Sequence, residues 1–441
     1  MTSKILAKSE LFPGDALASG SKGRARGGFL IWYQTMVLGT ALGAIYSNLP
    51  IYGYILNPGI LPKFTFFGIF FLVTPLMLLK SKSFSAYLVS PFVLWAGLFL
   101  VLNLLHLAVV SASDEWDGIY LFDIHLESRQ SLITTRIQYV LFAVFLGFVA
   151  YISPYKKYLY TVVLLMIVLP CAVIFDFARP GLLYSMETEG AVLGRAAAMF
   201  INPTMAGEAL LLVFLLGCAV INPRYRVPLF LLCGAAVLTT FSRSSIIAWA
   251  LILLILVVKR SLPKSAFVTM AIILGIALAF LGSFESYLNS RQELEAASSN
   301  ILSRLDFFST LKFDDDSSEE RADVIQAGWD MFLQNPVFGA GAGATRFWTH
   351  RGSTHNQVLM LAAEYGLFGV GLWMWLLVIL WRGKFFAERG LQLAMVFLFV
   401  FMSLFTHQMF DSASYWLATF ALISVRKSRT ALPRPEPNGQ N

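Results

Sequence analysis

Four basic groups stand out from a mainly apolar sequence, and their chemistry is that of anion binding and proton transfer. Ser242-Arg243-Ser244 has apolar residues on both sides almost without break. An arginine in that setting calls for an anion. One candidate is a phosphate, which a guanidinium grips with two N–H groups; another is an internal carboxylate such as Glu208 or Asp411. Arg195 lies in Gly194-Arg195-Ala196, ahead of Phe200-Ile201-Asn202-Pro203 and a further apolar run. It reads either as an anion ligand or as an interfacial arginine reaching toward lipid headgroups. Arg321, in Glu319-Glu320-Arg321-Ala322-Asp323, falls in the first turn of an expected helix, where a solvated surface charge is the plainer reading. Thr354-His355-Asn356 precedes another apolar run. A histidine there is a base available near neutral pH, with Asn356 or a carboxylate to set its tautomer, unless it only caps or packs a helix. His407 and Asp411 are four residues apart near the end of a later run. On one helical face they would touch, as a structural pair or as support for a site.

Other strings carry weaker chemistry. Gly339-Ala340-Gly341-Ala342-Gly343 has the glycine density of a phosphate-binding loop, but Thr345 follows without the Lys-Ser/Thr pair that such loops use, so a flexible loop fits better. Asp314-Asp315-Asp316 and Glu115-Trp116-Asp117 could hold a divalent metal or be solvated loop acids. Cys171, Cys218 and Cys233 lie inside apolar runs, which leaves packing rather than a disulfide framework or zinc motif.

The elements that must position these groups are membrane helices. With 57% apolar and 13% charged residues among 441, and a mean hydropathy of +0.68, the chain is composed for lipid. Apolar runs of about twenty residues exclude a soluble enzyme with one anchor and a weakly alternating outer-membrane barrel. Hydropathy predicts about twelve spans, near 28–46, 63–79, 84–110, 133–152, 159–177, 204–221, 227–241, 244–258, 266–283, 357–381, 391–407 and 413–425. The fold expected is an all-α integral membrane protein with a large outer loop containing an amphipathic helix. That helix is read from a capping box at Ser317–Glu320, helical spacing of Val324, Ile325, Gly328, Trp329, Met331 and Phe332, and a stop at Asn335-Pro336. It lies on the membrane surface or caps a cavity.

Charge fixes the orientation. With a cytoplasmic N-terminus, the inner segments hold 21 of the 33 Lys+Arg but only 4 of the 26 Asp+Glu. By the positive-inside rule the net charge of +7 reports topology rather than a nucleic-acid partner. Residues 1–27 then form a cytoplasmic tail with nothing to cleave, 28–425 the membrane domain with 284–355 as its large outer loop, and 426–441 a disordered cytoplasmic tail.

The strings Glu320-Arg321, Gly328-Trp329, Asn335-Pro336, Phe338-Gly339-Ala340-Gly341, Thr354-His355-Asn356 and Glu364-Tyr365-Gly366-Leu367-Phe368-Gly369, in that order, resemble the O-antigen ligase and polymerase superfamily of multispan glycosyltransferases. Phe200 to Pro203 and Ser242-Arg243 resemble its two upstream signatures, so the likeness covers roughly residues 190–425. The resemblance implies transfer of a glycan from undecaprenyl pyrophosphate to an acceptor hydroxyl at the periplasmic face of a Gram-negative inner membrane, inverting and without metal or cofactor. It assigns His355 as catalytic and Arg195, Arg243 and Arg321 to the pyrophosphate; the reading of the residues themselves adds Asn356, Asn202, His407 and Asp411 in support. An O-antigen ligase, with lipid A core as acceptor, is the reading preferred. An O-antigen polymerase, a protein-glycosylating oligosaccharyltransferase and a lipid-linked glycan transporter are the alternatives.

Overall fold

The computed structural model describes residues 21–110, 128–279 and 316–424, apart from 154, 189, 193, 349, 351, 352 and 384. The described residues are helical, with no strand among them. In chain order the helices are α1 (Ser21–Tyr46), α2 (Leu49–Leu56), α3 (Pro62–Leu79), α4 (Ser81–Leu88), α5 (Pro91–Val109), α6 (Arg129–Ile152), α7 (Tyr155–Ala178), α8 (Pro203–Cys218), α9 (Arg226–Thr239), α10 (Arg243–Val258), α11 (Lys264–Ala279), α12 (Asp316–Gln334), α13 (Gln357–Arg382), α14 (Arg389–Met402) and α15 (Tyr415–Ser424). Each of the twelve expected spans meets a helix. Six are long and apolar enough to cross a membrane: Gly28–Tyr46, Pro62–Leu79, Pro91–Val109, Arg129–Ile152, Thr161–Ala178 and Gln357–Arg382. Pro203–Cys218, Arg243–Val258, Arg389–Met402 and Tyr415–Ser424 are shorter apolar helices.

Local chemistry sets several boundaries that hydropathy misplaced. The expected span 84–110 is two helices, because Ser90 is extended ahead of Pro91, as a residue before proline prefers, and Pro91 starts α5. The expected span 391–407 ends five residues early, at Met402. Ser403 there donates its hydroxyl to the carbonyl of Val400 and gives its own carbonyl to the N–H of Gln357.

Burial sorts the helices into layers. Residues Met205–Cys218 of α8 and all of α15 are buried, so these short helices, apolar on every side, can sit only among other helices. α6 packs against α15, and α3, α5 and α7 turn large apolar side chains such as Phe71, Leu105 and Leu164 outward, as a lipid-facing shell does. Interior contacts are close: the Trp249 ring covers Gly234, and Trp373 stacks on Phe399 with centroids 4.5 Å apart.

α13 is the element with the largest consequence for a site. Gly366 has φ 63° and ψ −146°, so the helix is broken into 357–365 and 367–382. The break is sharp enough to bring Gly369 against the carbonyl of Leu361, eight residues earlier; in a continuous helix they would lie about 12 Å apart. Backbone groups freed at the break are satisfied by the segment after α12. The N–H groups of Ala340 and Gly341 donate to the carbonyls of Ala363 and Glu364, at 2.8 and 3.0 Å, and Leu367 N–H donates to Pro336 O at 2.8 Å. Irregular backbone within a membrane domain is tolerated on such terms. A Cβ at Gly366 would fall 2.3 Å from the carbonyl oxygen of Val337, at a φ that L side chains rarely adopt. Gly366→Ala is therefore expected to lower the thermal unfolding midpoint of the purified protein steeply. An unchanged midpoint would show that the break can relax.

α12 occupies the span expected of the amphipathic helix and ends before Asn335-Pro336. Val324 and Gly328 face inward, Gly328 onto Thr354 and Leu359, while Ile325, Trp329 and Leu333 stay exposed. The side chains of its proposed capping box, the rest of the large loop to 315 and the tail beyond Ser424 lie outside the described residues.

Candidate functional site

The heads of α8, α10, α13 and α15 and the tail of α14 meet at one end of the bundle, and Arg195, Asn202, Arg243, His355, Asn356, His407 and Asp411 are there. At the opposite end Arg226 makes a two-pronged pair with Glu388, at 2.7 and 2.8 Å, and donates to Ser261 O at 3.1 Å, clasping the heads of α9 and α14 to the tail of α10.

Arg195 and Arg243 are joined through a turn. Arg195 Nε donates to the carbonyl of Thr240 at 2.9 Å, and Ala196 N–H to Thr239 O at 3.0 Å. That turn delivers Arg243 as the first, half-buried residue of α10. The segment carrying Arg195 is itself held by Asp176 at the end of α7, whose carboxylate accepts from the N–H groups of Ala197 and Ala198 at 2.9 and 2.8 Å and from the Tyr184 hydroxyl at 3.2 Å. Ala198 and Ile201 both have positive φ, 48° and 62°, strain that such anchoring sustains. Asn202 caps α8 through Thr204 N–H and Met205 N–H. The two carboxylates weighed as partners of Arg243 are engaged by other side chains. Glu208 accepts from the Tyr415 hydroxyl at 2.7 Å and Trp416 Nε1 at 2.9 Å, and Asp411 accepts from Arg346 and pairs with Arg136 at 3.6 Å.

A wholly buried network lies beneath the head of α13. Arg136, two turns into α6 and 1% exposed, donates to Glu364, which is 0% exposed. It also approaches the Tyr365 hydroxyl at 3.2 Å and Asp411 at 3.6 Å. Glu364 accepts from the Thr345 hydroxyl at 2.6 Å, and the Tyr365 hydroxyl donates to Asn103 at 2.8 Å. Arg346 closes the far side, reaching both oxygens of Asp411 at 3.3 and 3.4 Å. The glycine-rich segment is pinned rather than flexible. Arg129 donates to Ala342 O and Ala340 O at 2.6 and 2.9 Å, and His106 Nδ1 accepts from Ala342 N–H at 2.9 Å. Its N–H groups serve α13 and His106, which corrects the expectation of a loose loop.

His355 precedes α13 with a backbone φ of 48°, and its ring meets that of His407 edge to face, centroids 5.1 Å apart. Burial foremost, and then the charges of Arg321 and Arg346, push its pKa down to about 4. The imidazole is thus neutral at neutral pH, the state in which it accepts a proton. Arg321 is exposed on α12 yet close enough to act on this ring. Asn356 gives its side-chain oxygen to Leu359 N–H at 3.0 Å and is a helix cap. His407 and Asp411 do not share a helical face, because α14 has already ended. His407 goes to His355 and Asp411 to the arginines.

Residues 228–374 match the family model described as O-antigen ligase. This segment is similar to the O-antigen ligase family. The likeness is to the ligase and polymerase type of membrane glycosyltransferase, and six of the described helices are long and apolar enough to cross a membrane. A comparison with curated proteins gives no match. The matched segment runs from the head of α9 into α13 and holds Arg243, Arg321, Arg346, His355 and Glu364. Asp176, Arg195, Arg136, His407 and Asp411 come from outside it and are folded onto it. Sequence reasoning passed over Arg136, Arg346 and Asp176. The signal for Arg136 and Asp176 was present, since an ionisable residue inside an apolar span is a functional candidate by default.

No group of three or more His, Cys, Asp or Glu arranged to hold a metal occurs among the described residues. The acidic strings at 115–117 and 314–315 lie outside those residues, as does the side chain of Asp316.

Proposed function

We propose that the protein is an O-antigen ligase that moves a glycan from undecaprenyl pyrophosphate to lipid A core at the periplasmic face of the inner membrane. The observation that carries this reading is a neutral histidine at the head of α13, faced by Arg321 and Arg346, within the stretch that matches O-antigen ligase. In this reading the chain has twelve spans with both termini cytoplasmic and the His355 end outside, and the richness in Lys and Arg of the opposite end supports that sidedness.

In the mechanism proposed, the acceptor hydroxyl attacks the anomeric carbon from the face opposite the pyrophosphate, inverting the centre. His355 takes the hydroxyl proton. The anomeric C–O bond breaks with its electron pair passing to the pyrophosphate, whose growing charge is met by Arg243, Arg321 and Arg195. Guanidinium groups suit that task because they stay charged and bind phosphate oxygens in pairs. They supply the charge neutralisation that a divalent metal would otherwise provide, so the reaction is proposed to need no metal. The lipid tail of the donor is proposed to lie beside Arg195 and Arg243, where the heads of α8 and α10 border the apolar shell. Asp411 and Asn202 support the site indirectly: Asp411 fixes Arg346, and Asn202 caps the helix that follows the Arg195 segment.

Ligase and polymerase share the donor and leaving group and differ in the acceptor. Purified protein given undecaprenyl pyrophosphate-linked glycan and lipid A core, in chelator, is expected to form glycosylated lipid A core in a single turnover. Growth of the carrier-linked chain without transfer to lipid A core would make it a polymerase. Activity lost in chelator and restored by manganese would favour the acidic strings over the arginines.

A further inference from the structure

We propose that His407 is the proton-relay partner of His355, a positioning residue that holds the base and clears its proton between turnovers. The inference rests on the reading of His355 as the base. The two rings are in edge-to-face contact, centroids 5.1 Å apart. His407 is 9% exposed, and its Nδ1 is buried without a hydrogen-bond partner. A buried polar nitrogen left unmatched is destabilising and calls for an explanation. The segment carrying it is braced onto the head of α13 from both directions. Gln357 N–H donates to Ser403 O at 2.8 Å, and Gln357 Oε1 accepts from Met409 N–H at 2.9 Å. The contact between the two histidines is therefore built by tertiary structure rather than by chance of a loose loop.

The chemistry supplies the need. In each turnover the acceptor O–H bond breaks, its oxygen bonds to the anomeric carbon, the C–O bond to pyrophosphate breaks, and the proton is left on a ring nitrogen of His355. That nitrogen must be free again before the next acceptor binds. The charged groups around the pair disfavour a lasting imidazolium. Arg346 faces both rings from the segment after the glycines, Arg136 faces His407 from α6, Arg321 faces His355 from α12, and Asp411 is shared by Arg136 and Arg346. Burial and these cations depress the pKa of His407 well below the ordinary histidine value, so neither ring retains a proton. His407 Nδ1 accepts the proton after a small ring rotation or through one water, and passes it to the released pyrophosphate or to solvent.

The test uses full-length protein in lipid nanodiscs with the donor and acceptor named above. His407→Phe keeps a ring against His355 without nitrogens, and His407→Ala leaves room for added imidazole. Both are expected to keep the wild-type KM for donor and to lose at least ~10-fold in kcat, a relay contributing less than a primary base. Imidazole is expected to restore His407→Ala. Full kcat in His407→Phe, or an impaired His407→Ala that imidazole does not restore, overturns the relay. Should those variants not fold, His407→Gln, polar but unable to carry a proton, decides: multiple-turnover kcat lost while single-turnover transfer is kept supports the relay, and full kcat overturns it. His355→Ala is measured in parallel. If it remains active, the base assignment itself fails. If it is inactive while His407→Phe runs at full rate, only the relay fails.

Discussion

His355→Ala is expected to reduce glycan transfer by ~10²–10⁴-fold, the usual contribution of a positioned general base, with folding and donor binding largely retained. The ring has no part in the Arg136 network, and the helix it precedes is capped by Asn356, so its loss leaves the fold braced. Single-turnover transfer by purified protein checks this, and an active His355→Ala enzyme would refute the assignment. The pH dependence follows from the same surroundings. Because the folded pKa is near 4, the base is deprotonated through the neutral range, and activity should fall only as pH drops toward about 4. Arg321→Gln removes one of the charges that hold the pKa down. The acidic limb of kcat/KM should then move to higher pH, though not as far as an unperturbed histidine, since burial is the larger cause. The depressed pKa also makes folding less favourable at acid pH. An unfolded histidine binds its proton below about 6.5, so stability is lost as pH falls from there toward 4.

Arg136→Met is expected to be the most destabilising of the charge substitutions, by about 3–5 kcal/mol, because it leaves the Glu364 carboxylate buried without its cation. Thermal unfolding in detergent measures it. The double variant Arg136→Met with Glu364→Met should recover part of the loss, since removing both charges is cheaper than stranding one. Recovery should be incomplete, because Asp411 then keeps Arg346 alone and Tyr365 loses a partner. If Arg136→Met is as stable as the parent, the network does not hold α6 to α13.

The contrast between His355 and Arg136 shows what was readable before any coordinates. His355 stands in a string, Thr354-His355-Asn356, and at a boundary between polar and apolar sequence, so both its type and its place on the chain drew attention. Arg136 stands in Thr134-Thr135-Arg136-Ile137 with no string around it, and its carboxylate partner is 228 residues away. The same holds for the correction at His407 and Asp411. Spacing of four predicts contact only if the helix continues, and the tie between Gln357 and Ser403 that accompanies its end at Met402 is a contact with a distant element.

The sequence by itself determined that the chain is a bundle of membrane helices, which of its ends is basic, where the amphipathic helix lies, and that His355 and three arginines are candidates. These are local properties: hydropathy, capping residues and charge count act over one or two turns of chain. Only the tertiary structure decided which carboxylate each arginine meets, that α13 breaks at Gly366 against the segment after α12, and that His407 reaches His355. Those outcomes depend on packing between helices far apart in the chain, where a buried charge must find whichever partner the neighbouring helix presents, and no local pattern encodes that choice.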